Sequence, residues 1–351
     1  MIELILDKAP DVSGPAGRTG YHVSLGFGDA MNTVNGTDVA AGLGFAQYLK
    51  EGYFSYLAPI GKGLQVDVGK YVTPMGSEVI ESKDNWNYSR GLLFTYAIPF
   101  FHFGARAKYA FNDKYALTTY FANGWNNIVD NNSGKMYGMT FSWNPTKKVS
   151  FGQTYMAGPE QTTGTFGATS SGTLVSVDND WRQTWDTVVS YNATSKLSFM
   201  ANFDYGRGDR TVTNGTGFIS GVPVCATTPC TLSSPVYWTG GAGYLKYAFD
   251  DKNYVAARYE YFEDHDGFTT ASSVPGFAPS GNLAPFQHVH FNGITATYQR
   301  TLATHLLTRL EYRRDMASSS VFDTSTFGKG IKHQDTAALG LIFLFDSREA
   351  K

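Results

Sequence analysis

Strict alternation of apolar and polar residues recurs along this chain, a period of two that reads as half-buried β-strand. In 196–207, Leu197, Phe199, Ala201, Phe203 and Tyr205 share one face, and Ser198, Met200, Asn202, Asp204 and Gly206 share the other. In 254–263, Val255, Ala257, Tyr259 and Tyr261 oppose Ala256, Arg258, Glu260 and Phe262. In 305–314, Leu306, Thr308, Leu310 and Tyr312 oppose Leu307, Arg309, Glu311 and Arg313. The last strand sets Ala337, Leu339, Leu341, Phe343 and Phe345 on one face. Helical spacing would also bring Arg309 and Arg313 together, but the β-branched and aromatic content favours strands. One face is oily with aromatics near its ends; the other carries charge and small residues. That is the pattern of an antiparallel transmembrane β-barrel, with lipid outside and water inside.

The pattern predicts 14 strands near 19–27, 44–58, 63–72, 101–111, 115–125, 135–143, 148–157, 181–191, 196–207, 236–248, 253–263, 287–300, 303–315 and 333–346. Each supplies the ~9–11 residues that cross a tilted bilayer. The links alternate in length. Short ones fall at 59–62, 112–114, 144–147, 192–195, 250–252 and near 301; long ones at 28–43, 73–100, 126–134, 158–180, 208–235, 264–286 and 316–332. Short turns on one side and long loops on the other suit an outer-membrane barrel, whereas a sandwich does not require them. Two strands fit poorly. Alternation puts Lys70 on the lipid face unless a bulge intervenes near Gly69, and Val289 and Phe291 run out of phase with Ile294, which predicts a bulge near 292–293. Residues 1–6 read as a strand end. By the alternation they are the remnant of an earlier hairpin, so a complete protein is expected to have 16 strands, its first hairpin lying mostly upstream; the start, MIELILDKAP, also lacks the features of a secretory signal.

Composition sharpens this picture. Of 351 residues only 17% are charged, 15% are aromatic and 38 are glycine, yet mean hydropathy is −0.24. No apolar run approaches the ~18 residues of a membrane helix. The net charge of −2 lacks the basic excess of a nucleic-acid binder. No Walker loop, G-x-S-x-G elbow or H-E-x-x-H motif is present. A rim hydrolase would need a Ser/His or Asp/His pair converging from different strands. The reading is that the protein is not an enzyme and takes no cofactor.

The segment 68–108 reads VGKYVTPMGSEVIESKDNWNYSRGLLFTYAIPFFHFGARAK. With Gly69-Lys70, Thr73-Pro74, Gly76, Glu78, Asn85 to Arg90, and Pro99 to Arg106, it resembles the OmpL-like β-barrel porin family of Gram-negative outer membranes. SYLAPIGKGL (55–64) and NPTKK (144–148) resemble it too. The resemblance implies a bacterial outer-membrane barrel that passes small solutes.

The 73–100 link is too long for an idle turn. It holds Trp86, Tyr88, Leu92, Leu93, Phe94, Tyr96 and Ile98, so it should pack, and a barrel offers its lumen as shelter. One domain, 1–351, is therefore expected, with 73–100 folded inward to narrow the pore. Glu78, Glu81, Lys83, Asp84 and Arg90 should face wall residues such as Arg106, Lys108, Arg258 and Arg309. Glu260, Glu311 and Arg313 also face inward by phase. Opposed charges across a wet gap orient polar solutes. Inward charges nearly balance, so ion selectivity should be weak. Trp143, Tyr191, Tyr247, Phe249, Tyr298 and Phe345 should form an interfacial girdle. Expected partners are outer-membrane lipid and lipopolysaccharide, small polar solutes, the barrel-assembly machinery and, in a homo-oligomer, further copies of the chain. A plugged barrel with an adhesive or structural role is the alternative.

Cys225 and Cys230, spaced C-x4-C, suit a disulfide better than a redox motif. His288 and His290 share a strand face, but no third ligand is in view, and no metal site is assigned. Asp264-His265-Asp266-Gly267 and Asp130-Asn131-Asn132 resemble pieces of calcium loops without the closing acid.

Overall fold

The computed structural model describes residues 1–345 except 13–14, 37–43, 131, 133, 161–163, 170–171, 177–180, 214–216, 220–221, 225–230, 272–287 and 324–329. The expected Cys225–Cys230 disulfide lies outside the described residues.

Fifteen strands form one antiparallel sheet in chain order. They are β1 (Ile2–Lys8), β2 (Thr19–Phe27), β3 (Leu49–Ala58), β4 (Leu64–Val72) and β5 (Phe101–Ala110). Next come β6 (Tyr115–Ala122), β7 (Met136–Thr146), β8 (Val149–Pro159), β9 (Trp181–Asn192) and β10 (Leu197–Thr213). The last are β11 (Thr231–Ala248), β12 (Asn253–Asp264), β13 (Val289–Ala303), β14 (Leu306–Ala317) and β15 (His333–Phe343). The fourteen strands read from the pattern are all present, and the 1–6 segment supplies the fifteenth. Among the described residues β1 and β15 are the sheet's two edges. The expected loop at 208–235 is shorter, because β10 and β11 stay paired out to Thr213 opposite Thr231.

Short polar side chains close the short turns by the same device. Asn112 Oδ1 accepts from the amides of Lys114 (2.8 Å) and Tyr115 (3.0 Å), and Asp250 Oδ1 from those of Lys252 and Asn253 (both 2.8 Å). Thr194 Oγ1 does so for Lys196 and Leu197. Such Asx and Ser/Thr turns reverse a chain in few residues, which keeps this rim flat.

The outer face is apolar and bare: Leu310, Leu339, Leu341 and Phe343 are each at least 61% exposed. The proposed girdle aromatics Trp143, Tyr191, Tyr247, Phe249, Tyr298 and Phe345 are likewise exposed. The inner face is polar and covered, with Asp67, Asp186, Asp204, Arg258, Glu260, Arg309 and Glu311 all buried. A soluble protein would show the reverse, so lipid is the solvent this surface fits.

Neither expected bulge is present. The β4 ladder runs unbroken through Gly69, whose φ of 139° turns the strand instead. Lys70 is buried and its ammonium donates to Asn35 Oδ1 and Leu49 O (both 2.8 Å). Asn35 ends the helix α1 (Asp29–Asn35). The β13 ladder is continuous through 292–293. Val289 and Phe291 point inward with Thr295 and Thr297, and they are buried. They looked out of phase because an inward residue was assumed polar; here the lumen holds apolar matter to pack on.

Leu310, mid-strand and 61% exposed, tests the lipid assignment. Leu310→Arg should cost about 2–4 kcal/mol, the range for a midplane cation on a barrel's lipid face, in urea titrations of folding into liposomes. An unchanged midpoint would mean that this face meets water.

Candidate functional site

The apolar matter in the lumen is the 73–100 link. It leaves β4, returns to β5, and reaches β12 to β14, eight to ten strands further along a sheet of fifteen. A sheet whose fourth and twelfth strands share one strap must be curled, with these contacts inside.

Charge anchors the strap. Arg258 of β12 has its NH1 2.6 Å from Glu78 Oε1 of the strap and its Nε 2.7 Å from Glu260 Oε2 of its own strand. Its NH1 also donates to Ser89 O (2.7 Å) and its NH2 to Thr295 Oγ1 (3.1 Å). The free lobes of both carboxylates accept strap amides: Gly91 N donates to Glu78 Oε2 (2.5 Å) and Leu92 N to Glu260 Oε1 (2.7 Å). Two strands over, on β14, Glu311 takes the amides of Tyr88 (2.6 Å) and Ser89 (2.9 Å). Arg309 donates to the carbonyls of Ser82, Lys83 (3.3 Å), Asn85 (2.8 Å) and Asn87 (3.1 Å). Arg313 NH1 donates to Arg90 O (2.6 Å) while its Nε holds Asp315. The wall thus supplies charged side chains and the strap mostly supplies backbone. Charged hydrogen bonds of this kind are the strong ones.

Apolar packing completes the seat. Tyr96 stacks on the cross-strand neighbours Phe262 and Phe291, with centroids at 5.7 and 5.9 Å. The buried Trp238 donates its Nε1–H to Ala97 O (3.0 Å). Leu92, Leu93, Ala97, Ile98 and Phe100 are buried with them. Gly206 is required here: a Cβ at this position would fall 1.8 Å from the Trp238 ring.

The low-dielectric seat shifts the strap's own ionisable groups. Burial pushes the Tyr96 phenol up to about 12. Burial pulls the Arg90 guanidinium below its ordinary value, against the opposing pull of Glu78. Burial raises the Glu78 carboxyl, with Arg258 drawing it back down.

The expected site residues do not all come together. Glu78, Arg90, Arg258, Glu260, Arg309, Glu311 and Arg313 converge on the strap seat. Glu81 pairs with Lys50 of β3 instead. Lys83 and Asp84 pair with each other, 2.5 Å apart and exposed. Arg106 does not meet the strap acids expected of it: its Nε holds Asp67, directly opposite in the ladder, at 2.8 Å. Lys108 is exposed on the same strand. Sequence reasoning missed Lys50, Asn202, Trp238 and Thr297. Asn202 Oδ1 accepts from Ser77 N (3.0 Å) and Thr297 Oγ1 accepts from Asn87 (2.8 Å). Lys50 was hidden by a bulge: the β2–β3 register shifts there, so Lys50 and Glu51 are both buried. The calcium-like Asp264 instead caps a turn, accepting from the amides of Phe268, Thr269 and Thr270.

Arg258→Met would strand Glu78 and Glu260 in a buried seat. Losing one partner of a buried ion pair costs about 3–5 kcal/mol, so the variant should unfold at markedly lower denaturant and expose 73–100 to protease. Lys83→Ala, at the exposed pair, should match the wild type in both assays.

A family model described as "Putative beta-barrel porin-2, OmpL-like" matches residues 1–345. Among solved structures, a loop L8 deletion mutant of OmpT, an outer membrane protein of Vibrio cholerae, is 10% identical; the match covers 97% of this chain and 95% of that one at TM-score 0.55. The anion-selective porin from Comamonas acidovorans is 9% identical, with 93% and 84% covered at TM-score 0.56. At these identities the likeness is one of fold. Comparison with curated proteins finds no match. With fifteen antiparallel strands in one sheet and the family's model spanning nearly all of its residues, this chain belongs to the OmpL-like β-barrel porin-2 family.

Proposed function

We propose that the chain works as a single barrel in the bacterial outer membrane, an open channel and not an enzyme. Small hydrophilic solutes and ions would diffuse passively through a lumen narrowed by the 73–100 strap. The observation that carries this reading is the Glu78–Arg258–Glu260 bridge with the Arg309 and Glu311 bonds beside it, which anchor the strap eight to ten strands from its stems. A strap held by backbone bonds at so many points is a fixed narrowing rather than a swinging lid.

Its charges are largely spent internally. Around the seat, Arg90, Arg258, Arg309 and Arg313 stand against Glu78, Glu260, Glu311 and Asp315, four cations to four anions. Solutes would meet, among what remains, the exposed Lys83–Asp84 pair, the partly exposed Arg106 with its partner Asp67, the exposed Lys108 and the partly exposed Lys246 beside Trp86. With both signs present, selectivity between anions and cations should be weak.

Single-channel recording in planar bilayers tests both points. The wild type should give steady ohmic steps, a deletion of residues 76–97 should give larger ones, and the reversal potential in a salt gradient should stay near zero. Silence in both proteins would sink the open-channel reading and favour the plugged, structural barrel. Equal steps in both would remove the strap from the conduction path.

A further inference from the structure

The outer face carries a second cluster of chemistry at the long-loop rim. In β12 the inward residues are Arg258, Glu260, Phe262 and Asp264, all buried. Glu263 and His265 therefore point outward, in line with the exposed Tyr259. Across the ladder Glu263 stands opposite His290 and Asp264 opposite Val289, so His288 falls across from His265. A two-strand ribbon thus brings a carboxylate and imidazoles from both sides of the 266–287 link onto one patch. From the sequence alone, His288 and His290 lack a third ligand; the fold instead sets His288 beside Glu263 and His265 from the other strand.

The donors already converge. Glu263 Oε1 is 2.9 Å from His288 Nε2 and Glu263 Oε2 is 3.7 Å from His265 Nε2. The two rings lie nearly parallel, 4° apart with centroids at 5.4 Å. All three donor atoms lie within 4.8 Å of one another. Metal–nitrogen bonds of ~2.0–2.1 Å in a tetrahedron set donors about 3.4 Å apart, which these separations bracket. Small side-chain rotations would seat an ion between them.

The backbone beneath is fixed. His265 N donates to Tyr237 O (3.1 Å), and Asp266 Oδ2 accepts from Tyr237 N (2.9 Å). On the other strand, His290 N donates to Ser318 Oγ (3.1 Å) and Ser318 N to His290 O (3.0 Å). Donors on tied-down strands need little reorganisation to bind. Asp264 is engaged inward by its turn, and the His290 ring lies against Tyr261 at 6.0 Å. Neither belongs to the donor set.

We propose that Glu263, His265 and His288 form a surface site for a transition-metal dication of the Zn2+ or Cu2+ type. Two imidazoles and one carboxylate select such ions over Mg2+ and Ca2+, which prefer all-oxygen shells. Water completes the coordination, since both histidines are about half exposed. The bound ion ties residue 265 to residue 288 and clasps the link between them at its base. It stands on the outer face, apart from the conduction path.

Isothermal titration of Zn2+ into the tag-free full chain in detergent should show one equivalent bound at micromolar strength. His265→Ala and His288→Ala should each weaken binding about tenfold or more. With Cu2+, electron paramagnetic resonance should show two nitrogen donors in the wild type and one in either variant. Both side chains are exposed, so neither substitution should disturb folding. No binding by the wild type, or less than a tenfold loss in either variant, would overturn the site. Conductance should be the same with and without metal, so failure here leaves the channel reading untouched.

Discussion

Arg258 is the contact on which the rest of the lumen depends. Its side chain has no exposed surface, and it sits between a carboxylate on its own strand and another on the strap. Removing a guanidinium from water costs several kcal/mol, which the attraction of the two carboxylates and the hydrogen bonds to Glu78, Ser89 and Thr295 offset. Glu260 alone would leave half the arginine bare. Glu78 alone would have no wall to meet. The amides of Gly91 and Leu92 use the carboxylate oxygens that remain. Strap and wall are each other's condition: the strap dries the arginine, and the arginine makes drying the strap tolerable. Tyr96, Phe262 and Phe291 can then pack without water between them.

This dependence explains what could be read in the chain before its structure. Strands were legible because lipid and water impose opposite chemistry on alternate residues, so β12 and β14 declared Arg258, Arg309 and Glu311 as inward. Which inward residues meet was not legible. Alternation gives a side chain's face but not its height along the barrel, which register decides. Arg106 and Arg258 looked equivalent, yet the ladder sets Arg106 against Asp67 and leaves Arg258 to the strap. Local irregularities misled in both directions. Val289 and Phe291 mimicked a bulge because they pack on Tyr96's surroundings rather than face water, while the real bulge at Lys50 lay in a strand that raised no suspicion.

The strap's bonding is also asymmetric in a useful way. Most of its contacts use main-chain carbonyls and amides, received by wall side chains such as Arg309, Glu311 and Arg313. Backbone groups are present whatever residue occupies a position. The exposed strap residues Val79, Lys83 and Asp84 could therefore change, altering the solute's surroundings, while the seat persists. The wall arginines and glutamates have no such freedom.

The rim from which the long links rise is not level. β10 and β11 run for 17 and 18 residues and stay in register to Thr213 opposite Thr231. A tilted crossing uses ~9–11 residues, so at ~3.4 Å each the ladder continues some 20 Å or more beyond the hydrocarbon. A hydrogen-bonded ribbon of that length is stiff, and among the described residues no other pair of neighbouring strands in the sheet is as long. Its outer end is therefore held clear of the lipid by backbone pairing alone, whatever side chains it carries.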